Sequence, residues 1–162
     1  MTFPLIANNA RDHYLPVLLE STHNRDGTAG EKYPFGCSSH EGDVLFEDYY
    51  SNDPDINKWE IGDRLYQIRS KKYIDDYLRI ISDASYGQDR QMAILLVGKL
   101  KVEAAIPVLI DLLEDEGVRL QAIAALGDFK RDELRPYFER FQNSKHSGWR
   151  KYANICISTN RC

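Results

Sequence analysis

Two consecutive stretches decide the fold: RQMAILLVGKLKVEAAIPVLIDLLEDEGV (Arg90–Val118) and RLQAIAALGDFKRDELRPYFERFQNS (Arg119–Ser144). Laid over each other, they agree at Arg90 and Arg119, Ala93 and Ala122, Gly98 and Gly127, and Pro107 and Pro136, always 29 residues apart. Coincidences at one offset mark an internal repeat, and a period of this size belongs to stacked supersecondary units. A partial copy keeps Arg150 and Ala153 at the same spacing of three. Upstream, YIDDYLRIISD (Tyr73–Asp83) lies over AIPVLIDLLED (Ala105–Asp115) at an offset of 32.

Each full block reads as a helical hairpin. Leu120, Ile123, Ala124 and Leu126 form an apolar stripe on a helix that starts at Arg119. Gly127 stands where a helix can end in a left-handed residue, the conformation glycine enters without strain. Pro136 suits the first turn of the second helix, where its missing N–H costs nothing. One hairpin is too short to bury its own apolar face, so neighbours must stack.

A small residue inside the first helix, a following Gly, a Pro opening the second helix and the run Asp115, Val118, Arg119 into the next unit together resemble HEAT repeats. The short period resembles the subtype found in phycobilisome lyases. The resemblance covers residues 53–158. It implies an all-α fold: a short right-handed solenoid of three to four hairpins behind an irregular N-terminal helical cap. It also implies that the second helix of each hairpin lines the concave face. It is poor for function, because one scaffold hosts many activities.

Net charge is −4 but unevenly spread: residues 1–57 carry −7 and residues 58–162 carry +3. The shift coincides with the edge of the repeats, so the chain divides into an acidic cap segment with a long loop, 1–52, and a repeat domain, 53–162. Three widely spaced cysteines, with no CxxC pair, point to a reducing cytoplasm. The N-terminus lacks the basic and apolar regions of a signal peptide, and no apolar run is long enough to cross a bilayer.

Along the chain, residues 1–21 predict a helix and residues 22–43 a Gly-rich loop. Val44–Tyr50 predicts one or two helical turns. Asn52-Asp53-Pro54 reads as a helix start, with Asp53 as N-cap and Pro54 first in the helix. Ile56, Trp59, Ile61, Leu65 and Ile68 follow as its apolar set, and Tyr73–Ser82 is the partner helix. The last helix, from Trp149 to Ile157, ends the stack without a partner, and Trp149 is expected to pack beside Tyr152 and Ala153.

Motifs for chemistry are few. Cys37 and His40, near Glu41 and Asp43, have ligand types but no second pair to complete a zinc site. No nucleophile elbow, phosphate loop or dinucleotide fingerprint occurs. Cys156 lies on an apolar helical face. Lys145, His146, Arg150 and Lys151 form one small basic patch, too little to neutralise many phosphates. The reading is therefore of no catalytic residue, no metal and no cofactor, with neither membrane nor nucleic acid as partner.

Protein recognition remains. The segment EGDVLFEDYYSNDPD (Glu41–Asp55) holds six acids, no basic residue and three aromatics. Glu47, Asp48 and Tyr50 are its candidate contacts for a basic partner. The repeat offsets put Asp76 and Tyr137 in one register, and Arg79, Asp111 and Arg140 in another, a mixed-charge ladder suited to a protein surface. The function expected is that of a non-catalytic, bacterial-type cytoplasmic binder, an inhibitor or immunity protein that neutralises a basic, nuclease-like toxin. The alternatives are an enzyme, either lyase-like on a tetrapyrrole protein or acting on nucleic acid, and an accessory subunit of a larger assembly.

Overall fold

The computed structural model describes residues 41–159. Among them lie eight α-helices and no strand: α1 (Glu41–Tyr50), α2 (Lys58–Ile68), α3 (Ile74–Ser82), α4 (Gln91–Lys99), α5 (Ile106–Asp111), α6 (Arg119–Asp128), α7 (Arg135–Glu139) and α8 (Ser147–Thr159). The helix expected in residues 1–21 and the loop up to residue 40 lie outside the described residues. The helices pair as α2–α3, α4–α5 and α6–α7, and α8 follows alone. The first helices form a continuous layer, α2 on α4, α4 on α6 and α6 on α8, and each second helix leans on the next first helix. This is the short α-solenoid that the repeats predict.

The stripe expected on α6 is an underestimate. Leu120–Leu126 are all buried, as are Gln91–Gly98 of α4. Each of these helices has a repeat on either side and second helices across it, so it is enclosed all round.

The repeated arginine has a structural use. Arg90 is buried and donates to the carbonyls of Ile81 at 3.2 Å and Gly87 at 3.0 Å, and pairs with Asp115. Arg119 donates to Leu113 and Glu114, and Arg150 to Ser144. Arg90 and Arg119 satisfy carbonyls left open where the preceding second helix ends, and their charge complements the negative end of that helix, while Arg150 holds the turn that follows α7. Asp115 in turn accepts from the N–H of Gly117 at 2.9 Å, which shapes the turn into α6.

The repeated glycine has a different use from the one expected. Gly127 is not left-handed; that conformation falls three residues later, at Lys130, and likewise at Lys101 after Gly98. The glycines serve close packing. A methyl group on Gly98 would stand 2.7 Å from the Ala125 Cα, and one on Gly127 would press on the Cys156 Sγ. Pro107 and Pro136 do open α5 and α7.

Two boundaries move. Helix α1 is ten residues long and takes in Glu41–Asp43, which the turn-rich composition assigns to the loop. Gly42 fits inside it because the Tyr73 ring lies over that position. Asp53 caps no helix: its carboxylate accepts from the N–H of Asp55 at 3.0 Å, bending the chain at Pro54. Helix α2 starts later, with Asn57 accepting from the Glu60 N–H. An Asp-Pro pair serves a tight turn as well as a helix start, and the Asn57/Glu60 spacing is that of a capping box.

At the far end, α8 buries Tyr152, Ala153, Cys156 and Ile157 and exposes Lys151, Asn154, Ile155 and Ser158. With one apolar side chain among polar ones, that outer face suits the end of a stack. Trp149 is only half-buried. It sits against the Arg119 guanidinium, 4.3 Å from the ring centre, and the His146 ring, also at 4.3 Å, rather than in the core beside Ala153.

Candidate functional site: the surface of α1 and α3

Helix α1 is amphipathic. Leu45, Phe46 and Tyr49 are buried, and Phe46 packs on Tyr73 and Tyr77 with ring centres 4.9 and 5.6 Å away. Tyr49 packs on Tyr86 at 5.2 Å. That spacing leaves Val44, Glu47 and Asp48 on the opposite face, all exposed. No side-chain hydrogen bond or ion pair engages Glu47 or Asp48 among the described residues. Among the described residues two large apolar side chains are exposed, Val44 here at 54 % and Ile155 on α8.

Tyr50 joins this face to α3. Its hydroxyl donates to the Asp76 carboxylate at 2.9 Å, and the Arg79 guanidinium lies 4.6 Å from its ring centre. Burial, then the hydrogen bond to Asp76 and that carboxylate's charge, push the phenol's pKa up. Tyr50 therefore stays a neutral donor at physiological pH. The Arg79 charge is held over an aromatic face rather than on a carboxylate, which keeps the guanidinium edge available.

The end of α1 is fixed by Lys58, a residue that composition does not single out. Its ammonium donates to the carbonyls of Tyr49 and Ser51 and lies 5.5 and 5.6 Å from the Tyr49 and Tyr86 ring centres. A cation at the carbonyl end of a helix is favourable, and this one also ties α1 to α2.

The expected residues thus fall into groups. Tyr50, Asp76 and Arg79 come together, whereas Glu47 and Asp48 stand on the outward face of α1. Arg140 is tied to Glu114 of the preceding repeat at 2.5 Å, and that arginine holds the Glu114 carboxyl below its usual range. Asp111 is exposed and Tyr137 half-buried, and neither makes a side-chain hydrogen bond or ion pair among the described residues. The repeat register misses the link between Tyr50 and Arg79, because it relates one hairpin to the next and says nothing of α1.

Chemically, this surface can donate, accept and attract. Cys156, the free cysteine among the described residues, is buried, and its thiol is pushed up to about 12 by desolvation and by the nearby Asp128 charge. It is a packing residue. Cys37 and His40 lie outside the described residues; within them no group of three His, Cys, Asp or Glu side chains could hold a metal ion. No helix among them is long and apolar enough to cross a membrane.

No curated protein matches the chain in sequence. A family model does: that of HEAT repeats matches residues 64–155, more than half of the chain. Such repeats are typically non-catalytic scaffolds that mediate protein–protein interaction. The matched span runs from α2 to α8, across all three hairpins and their stacked first helices, and the chain belongs to the HEAT-repeat family.

Proposed function

We propose that this protein is a non-catalytic binder that captures a basic protein on the α1–α3 surface, in the manner of an inhibitor or immunity protein that neutralises a toxin. The observation that carries the reading is the outward face of α1. Among the described residues Glu47 and Asp48 have no side-chain partner; they flank the exposed Val44 on the same helix whose Tyr50 reaches Asp76 and Arg79. Unpaired acids raise the rate at which an oppositely charged protein arrives. Tyr50 and Arg79 are residue types that dominate binding energy once water is excluded. Lys58 and the buried aromatics hold α1 in place, so little ordering is left for the moment of binding. The finer family reading, the phycobilisome-lyase-like subtype, rests on the short repeat alone and gives no reason to assign lyase chemistry.

The test compares wild type with the Glu47→Lys/Asp48→Lys variant in capture from lysate under low salt. A basic protein retained by wild type and lost by the variant supports the surface assignment. The inhibitor role needs a further result: the captured protein must arrest growth when expressed alone and cease to do so with wild type present. Equal retention by both forms refutes the surface, and a harmless captured protein refutes the inhibitor role.

A further inference from the structure

Among the described residues, three non-glycine positions have left-handed backbone: Arg69 (φ 50°), Lys101 (φ 56°) and Lys130 (φ 53°). Each stands in the turn between the two helices of a hairpin, so they share one position in three consecutive repeats. All three are basic and exposed. In this conformation Cβ crowds the following carbonyl oxygen, a cost that glycine avoids. The helix dipole accounts for a cation near each helix end, but not for its place at the strained position; Lys99, in the last turn of α4, serves the dipole without strain. Fold stability alone favours glycine at all three turns.

The fate of the charges is equally regular. Lys72, Lys99 and Arg131 on the same edge are paired, with Asp43 at 2.9 Å, Asp128 at 3.2 Å and Glu103 at 2.5 Å. Among the described residues, Arg69, Lys101 and Lys130 have no carboxylate partner. Arg69 lies over Tyr66 at 5.2 Å and Lys101 over Phe129 at 5.9 Å, which leaves both charges unneutralised. The turns lie side by side, since the Lys99–Asp128 and Arg131–Glu103 pairs run between the second and third and α2 packs on α4. Packed helices are about 10 Å apart, so the three cations form a row with that step.

We propose that this edge is a second docking surface, which takes an acidic protein segment whose carboxylates repeat at the step of the solenoid. A helix returns every seventh residue to the same face after about 10 Å, at 1.5 Å per residue. A continuous polyanion fits worse. Asp128, Glu103, Asp132 and Glu133 belong to the same turns, the helix end before them or the short helices after them, so the edge is not uniformly positive, and spaced carboxylates match it better than an unbroken run of phosphates. The surface is opposite in charge to that of Glu47 and Asp48, and the inference does not depend on it.

The test uses the full chain and a synthetic helical peptide with glutamate at three positions seven apart, labelled for fluorescence anisotropy. The variant is Arg69→Gly/Lys101→Gly/Lys130→Gly. Wild type should bind the peptide and lose it as salt rises. The variant should bind about tenfold or more weakly, the sum of three modest ion pairs, while its melting temperature stays level or rises, because glycine relieves the strain. Asparagine, which also tolerates this backbone, replaces glycine if the turns loosen. No binding by wild type, equal binding by the variant, or tighter binding of a single-stranded oligonucleotide than of the peptide overturns the proposal.

Discussion

A methyl group added to Gly98 collides with the Cα and carbonyl oxygen of Ala125, and backbone cannot turn aside. Gly98→Ala should therefore destabilise by about 1–3 kcal/mol, the range for overpacking a tight contact, read as a lower denaturation midpoint. Gly127→Ala meets only the Cys156 thiol, so it should cost less, and most of that cost should disappear in a Cys156→Ala background. Equal costs at the two glycines would contradict the packing account. Repetition of these glycines was plain in the sequence and their purpose was not. Glycine is the usual left-handed residue, so a left-handed helix end was the natural reading, while nothing in Lys101 or Lys130 signals that they adopt it. Tyrosines give the second prediction at this scale. Burial raises the pKa of Tyr49 and Tyr77, and burial with the Asp76 contact raises that of Tyr50. A raised folded pKa means that stability is fully present below the unfolded value, about 10, and is lost as pH rises beyond it. Alkaline titration should show part of the tyrosinate absorbance appearing only with the loss of helical circular dichroism. Full ionisation in the folded state would show these hydroxyls to be exposed.

At the scale of elements, the start of α2 separates two readings cleanly. Asn57→Ala removes the cap that accepts from Glu60 and should cost about 1 kcal/mol. Asp53→Ala removes only a turn contact at the surface and should change the midpoint little. The reverse order would restore Asp53 as the cap. The Asn57/Glu60 pair was legible as a capping box, but Asp53-Pro54 offered a stronger-looking start and concealed it. Helix α1 was legible in its apolar spacing: Leu45, Phe46 and Tyr49 do face inward. Its anchor was not, because a lone Lys58 near a helix start carries no signature. Lys58→Met should leave the repeats folded and raise amide exchange in α1 and the 51–57 turn. Unchanged exchange there would remove Lys58 as the fastener.

For the whole molecule, the stack was readable because Arg, Gly and Pro recur at one offset, and each position has the same physical task in both full repeats: capping the preceding helix, closing a tight contact, opening the next helix. The surface was readable only by charge. Glu47 and Asp48 stand out as acids without neighbours of opposite sign, but which ladder residues would be free depended on contacts between repeats. Glu114 engages Arg140, and Tyr50 reaches Asp76 and Arg79, and neither link follows from register. The measurement that bears most directly on recognition by this face is the association rate of a captured basic partner with wild type and with Glu47→Lys/Asp48→Lys, followed from low to high salt. The account predicts a slower rate for the variant in low salt, convergence of the two as salt screens the charges, and the same circular dichroism for both. Identical rates in low salt would contradict it.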